Sequence, residues 1–268
     1  MAVAATGRRR GAARRVGDVA PPAVAAVLVL VGWEFGLAAL GVQQFLLPRP
    51  TTILRSLGEE WDVLGRGVLY TGGEALAGFV VGCAAGILAA FATARWVVAR
   101  EALMPVAIAA NSIPIIAFAP IAGAWFGSQN PMARVAIVTL LVFFPVMVNT
   151  VRGLTFVETE TLELMKSYAA NDSQILRQVR IPNALPFVFT ALRVAATLAV
   201  IGAVIGEYFG GPRYSLGVFI SSEAYVFRYP NAWAAIVLAC VIGIAFYGAV
   251  ALTERIAIPW ARLRLQAS

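Results

Sequence analysis

The chain has 268 residues, 60% of them hydrophobic and only 13% charged, with a formal net charge of +7. An apolar share this high is outside the range of water-soluble domains, so the chain reads as an integral membrane protein. The basic excess sits at the ends of apolar segments, without a nucleic-acid-binding motif, which excludes a nucleic-acid partner and points to orientation in a membrane.

Residues 1–20 form a basic, Ala/Gly-rich segment carrying Arg8, Arg9, Arg10, Arg14 and Arg15, expected to be an unstructured cytoplasmic tail. The first span is expected over residues 22–40. It is long enough to cross a bilayer, and no small-residue cleavage site follows it, so it reads as a retained helix rather than a signal peptide. Residues 41–66 are a polar interruption with Pro48, Pro50, Glu59, Glu60 and Asp62, and an amphipathic stretch from Thr51 to Leu64 is expected at the outer surface. The second and third spans are expected over residues 68–93 and 102–126. The third contains Pro105, Pro114 and Pro120; proline removes a backbone donor, which a membrane tolerates only where protein or a polar cavity satisfies the freed groups. After a turn at Gly127–Pro131, a fourth span is expected over 132–151, a fifth over 184–209 and a sixth over 232–252. Residues 261–268 close the chain as a second cytoplasmic tail. The expected fold is therefore all-α and polytopic, one transmembrane domain over residues 21–260.

Six spans place both termini on one side. An N-inside arrangement puts the N-terminal arginines, Arg95, Arg100, Arg152, Lys166, Arg177, Arg180, Arg255, Arg262 and Arg264 in the cytoplasm, against Arg49, Arg55, Arg66, Arg134, Arg213 and Arg228 outside. The excess inside decides the orientation. It also makes the polar segment between spans four and five cytoplasmic.

That segment, residues 158–183, has its own pattern. Leu164, Met165, Tyr168 and Ala169, then Ile175, Leu176 and Val179, recur at helical spacing. Asn171 followed by Gln174 matches a capping box, so two short helices with a break between them are expected. Pro182 is expected to stop the second, and Pro186 to stand near the start of span five. From pattern alone the segment also reads as a linker helix lying on the membrane surface.

Its spacing resembles the cytoplasmic loop signature of binding-protein-dependent ABC importer permeases: Glu-Ala-Ala, three residues, Gly, nine residues, Ile-x-Leu-Pro. Glu163 matches the Glu, Ala169 stands where Gly is expected, and Val179, Ile181 and Pro182 match the close; Leu164 and Met165 replace the two alanines. The segments Ser112–Gly127 and Asn183–Gly211 are similar to the nitrate, sulfonate and taurine branch, which includes permeases for riboflavin and thiamine precursors. LPRPTTI (Leu47–Ile53) resembles a segment that follows the first helix there.

The resemblance implies a type I importer permease fold, a homodimer in the plasma (inner) membrane, two copies of a separate cytoplasmic ATPase and an extracytoplasmic solute-binding protein. The chain has no GxxxxGK[ST] phosphate loop. ATP and Mg would therefore be used by the partner, with no cofactor in this chain and no enzymatic role for it. The coupling residues implied are Glu163, Met165, Lys166, Tyr168, Ala169, Arg177, Ile181 and Pro182, with Met165 and Tyr168 as apolar anchors and Glu163, Lys166 and Arg177 as a polar rim. Candidates along the translocation path are Asn111, Ser112, Pro114, Phe118, Asn149, Glu207 and Tyr208. Asn111 and Ser112 equally fit helix–helix hydrogen bonding, Phe118 fits packing, and Glu207 fits a solvated span end. Glu74 reads as an interfacial or interhelical residue.

Two other classes compete. An intramembrane enzyme needs a nucleophile and base; histidine is absent, Cys83 and Cys240 stand alone in apolar runs, and no Gly-x-Ser-x-Gly elbow occurs. An ion-coupled secondary transporter needs carboxylates near the midplane and commonly an internal repeat, neither of which is evident. For the solute, the VIGEYFGG end of span five and the aromatic Tyr208, Phe209 and Tyr214 favour a planar heterocycle such as riboflavin or a thiamine precursor. The alternative is nitrate, taurine or an aliphatic sulfonate.

Overall fold

Long apolar runs without polar breaks leave the backbone one solution in a lipid environment, a helix that satisfies its own hydrogen bonds. The computed structural model describes residues 4–43, 47–95, 102, 105, 107, 109 and 114–260, and five of its helices are long and apolar enough to cross a membrane. The described residues fall into two units, residues 1–60 with 223–234, and residues 61–222 with 235–268.

In the first unit, α1 (Ala4–Ala39) runs unbroken through the basic segment that was expected to be unstructured. Alanine and arginine are strong helix formers, so local propensity favours helix through this stretch. The helix α2 (Pro50–Glu59) takes the amphipathic stretch, burying Ile53 and Ser56. Glu34 ties α1 to α2 by accepting hydrogen bonds from the Thr51 backbone N–H (3.1 Å) and hydroxyl (2.8 Å).

The second unit is built around α5 (Pro131–Thr155), with α3 (Trp61–Arg95) and α8 (Ile181–Glu207) packed on it. Glycines set the α3–α5 approach. A Cβ at Gly78, Gly82 or Gly86 would lie 2.4 Å from Val138 Cβ, 2.6 Å from Val142 Cγ2 or 2.8 Å from the Phe143 carbonyl oxygen. This four-residue repeat of missing side chains lets two backbones come close where lipid offers no hydrophobic drive for helix association. The short apolar helix α4 (Ile115–Phe126) packs on α5 through Ala119, Ala122, Ala133 and Ile137. It begins after Pro114, whose ψ of 107° is extended, so proline starts this helix rather than kinking it. In the third expected span Asn111 and Ser112 lie outside the described residues, which before Pro114 include only 102, 105, 107 and 109.

Between α5 and α8 lie α6 (Thr159–Ser167), the single turn α7 (Asp172–Ile175) and a π-helical turn, Leu176–Arg180. The second short helix does not stop at Pro182. Helix continues from Asp172 to Glu207, because the π turn, with the Ile181 N–H bonded to the Leu176 carbonyl, leads into α8 with Pro182 in its first turn. Inside a continuous helix a proline leaves one backbone bond unmade, and the run accommodates it next to the π turn, where the hydrogen-bond register shifts. The chain ends in α9 (Leu216–Tyr225) and α10 (Tyr229–Ala257).

Candidate functional site

Two constellations stand out, one at each end of α8. The first is the expected coupling segment. Helix α6 buries none of its residues; Leu164 is 55% and Tyr168 75% exposed, while Met165 is half-buried. Its last turn closes with the Ala170 N–H on the Met165 carbonyl (3.0 Å) and the Ala169 N–H on the Lys166 carbonyl (2.9 Å), the paired bonds of a Schellman motif. Ala169 is the residue that must turn left-handed, and its φ is 53°. The next element starts at once with a full capping box: Asn171 Oδ1 accepts from the Gln174 N–H (2.9 Å), and Gln174 Oε1 accepts from the Asn171 N–H (2.8 Å). The expected break between two helices is therefore built from backbone chemistry at Ala169 and Asn171.

Glu163, Lys166 and Arg177 are exposed, and Ile181 and Pro182 are half-buried where α8 begins. Asn183, not singled out from sequence, fixes that junction: its Nδ2 donates to the Gly153 (3.0 Å) and Phe156 (2.7 Å) carbonyls, satisfying the C-terminal end of α5. A cleft of about 850 Å³ opens beside it, lined by Phe156, Gln178, Pro182, Phe187 and the ion-paired Arg193 and Glu254.

The second constellation is a buried polar cluster at the other end. Arg134, 1% exposed, donates Nε to Glu74 (2.7 Å), Nη1 to the Ser128 and Gly210 carbonyls (2.9 Å each) and Nη2 to the Tyr70 hydroxyl (2.9 Å). The planar guanidinium serves partners in fixed directions, a task a lysine ammonium cannot copy. Glu207 is fully buried, not at a solvated span end. It accepts from the Thr71 hydroxyl (2.7 Å) and from the Gly217 N–H (2.6 Å). Thr71 Oγ1 in turn accepts from the Leu216 N–H (3.1 Å).

The structure thus brings Glu207 together with Thr71, close to Arg134 and Glu74, which sequence reading treated as an outside charge and an interfacial or interhelical residue. Tyr208 caps α8 and is 46% exposed. Phe118 packs against the α4–α5 cluster and meets Trp125 edge-on at 5.9 Å. Asn149 lies along α5, roughly 22 Å of helix from Arg134, with its Nδ2 on the Pro145 carbonyl (2.8 Å). Among the described residues, the path candidates are therefore not gathered at one point.

Among the described residues, five helices long and apolar enough to cross a membrane define a multi-pass membrane protein. Residues 82–256 match the family of binding-protein-dependent transport system inner membrane components, and the chain belongs to that family. Among its relatives, the riboflavin transport system permease protein of Chloroflexus aurantiacus is 32% identical over 244 residues, 88% of each chain. The formylaminopyrimidine transport permease protein of Halalkalibacterium halodurans is 32% identical over 89% of this chain and 95% of its own. A putative aliphatic sulfonates transport permease protein of Bacillus subtilis is 26% identical over 94% and 91%. The chain is a permease of the ABC importer class and a transport subunit.

Proposed function

We propose that this chain works in the plasma membrane as a homodimer, docks a cytoplasmic ATPase on α6, and imports a planar heterocycle of the riboflavin or thiamine-precursor type delivered by a binding protein. The observation that carries the coupling assignment is a helix with no buried residue whose last turn exposes Leu164 and Tyr168 just ahead of a Schellman turn and a capping box. Exposed apolar side chains on a fixed, polar-rimmed turn suit a protein groove, where they become the desolvated centre of an interface. Leu164, which the sequence signature marks only as a departure, joins Tyr168 as an anchor. ATP binding acts on the permease only through a difference in affinity between its two conformations, so the turn has to be stiff.

The solute class rests on the two relatives at 32% identity, whose names carry riboflavin and formylaminopyrimidine. Nitrate or an aliphatic sulfonate is the second reading, favoured by relatives of lower identity. The test is uptake in proteoliposomes holding the permease, the ATPase and the binding protein, with ionophores collapsing ion gradients. Labelled riboflavin or pyrimidine is expected to enter only with internal ATP. Met165→Glu with Tyr168→Glu is expected to abolish co-purification of the ATPase while membrane insertion stays normal. Uptake that persists without the ATPase, or normal co-purification of the double variant, removes the assignment.

A further inference from the structure

A helix start leaves its first amides without partners, and a side chain from the residue before the helix normally accepts from one. Helix α9 departs from this. The hydroxyl of Ser215, the residue just before it, makes no hydrogen bond among the described residues although it is buried. The Leu216 N–H goes instead to Thr71 of α3 and the Gly217 N–H to Glu207 of α8. A Cβ at Gly217 would sit 2.5 Å from the Val204 carbonyl oxygen, so only glycine lets the start of α9 seat on the last turn of α8. The carboxylate also faces the positive end of the α9 dipole. The Thr71 hydroxyl joins the two caps, donating to Glu207 while accepting from Leu216. The Arg134 guanidinium holds the adjoining chain by the Gly210 carbonyl and the α4–α5 turn by the Ser128 carbonyl.

We propose that Thr71 and Glu207 are positioning residues that make α9 follow the end of α8, so that displacement of the coupling segment is delivered to α9 and the loop before it. The inference rests on the importer reading above. Helix α9 keeps its caps only while α3 and α8 stay together at this end. The other end of the same continuous helix is the turn that begins at Asp172, so one unbroken helical run joins the coupling segment to α9 across roughly 54 Å. The hydroxyl of Thr71 is the joint of the arrangement.

The test compares Thr71→Val, which keeps the shape and removes the hydroxyl, with Thr71→Ser, which keeps the hydroxyl. Both are assembled with the ATPase and binding protein in proteoliposomes, and solute imported per ATP hydrolysed is measured. For Thr71→Val this ratio is expected to fall about ten-fold, in the range of a broken coupling between sites, with hydrolysis and ATPase association close to wild type and a lowered unfolding temperature, because Glu207 and the Leu216 N–H each lose a buried partner. Thr71→Ser is expected to restore it. An unchanged ratio in Thr71→Val overturns the inference. So does a parallel loss of hydrolysis, uptake and membrane yield, which would assign Thr71 to folding alone. Absence of ATP-driven uptake in the wild-type assembly would instead count against the importer reading itself.

Discussion

Ala169 holds a left-handed backbone at φ 53° where the family signature carries glycine. An L-residue with a Cβ is disfavoured there by about 1–2 kcal/mol, yet the Schellman bonds on either side are intact. Ala169→Gly is expected to stabilise the end of α6 by about 1 kcal/mol, part of the relief being offset by the flexibility of glycine. Slower amide exchange at Ala170, whose N–H closes the motif, is the measurement. A larger energy sits at Arg134. Arg134→Met leaves the Glu74 carboxylate buried without its counter-charge and is expected to destabilise the protein by about 3–5 kcal/mol in thermal unfolding in detergent. Adding Glu74→Leu is expected to recover most of the loss, because the orphaned charge, not the missing bond, dominates the cost. Sequence reading placed Arg134 outside, since a count of charges cannot separate an arginine in a loop from one a turn inside a span. The available signal was its pairing in kind with Glu74, a lone opposite charge inside another apolar run.

The glycine repeat in α3 decides how that helix sits on α5. Gly82→Ala would force a Cβ into Val142 and the Thr139 carbonyl and is expected to cost about 1–3 kcal/mol. Gly72→Ala on the same helix meets nothing within 4 Å; it is expected to be neutral or to gain about 0.4–1 kcal/mol through the unfolded chain. Unfolding midpoints of the two variants read the contrast directly. Most elements were legible because apolar runs and a capping box write themselves locally: helices long and apolar enough to cross a membrane cover Trp61–Thr93, Pro131–Thr155, Asp172–Glu207 and Tyr229–Ala257, and the Asn171–Gln174 capping box closes. The end of the second coupling helix was not. A proline read alone is a stop, and no local pattern records the π turn, Leu176–Arg180, that carries the chain past Pro182. The caps of α9 were illegible for the same reason, since Thr71 and Glu207 are 136 positions apart.

At the scale of the molecule, side chains such as Leu69, Leu88, Ile244 and Ile256 stay more than two-thirds exposed, as a surface facing lipid rather than water requires. Composition alone forecast this. The solute was far less legible, because the described path candidates are scattered over α4, α5 and α8 and the hydrogen bonds of Asn149 and Glu207 are spent on the protein itself. The buried cluster has one more consequence, for how the protein is made. Glu74 leaves the ribosome 60 positions ahead of Arg134, roughly 3–12 seconds at ordinary rates of synthesis. During that interval α3 enters the bilayer with a carboxylate that has no counter-charge, and Thr71 waits still longer for Glu207. The glycine face needs no charge to find its partner. It can dock α3 on the newly inserted α5 and so deliver Glu74 to Arg134, which makes the order of synthesis part of how the polar cluster comes to be buried.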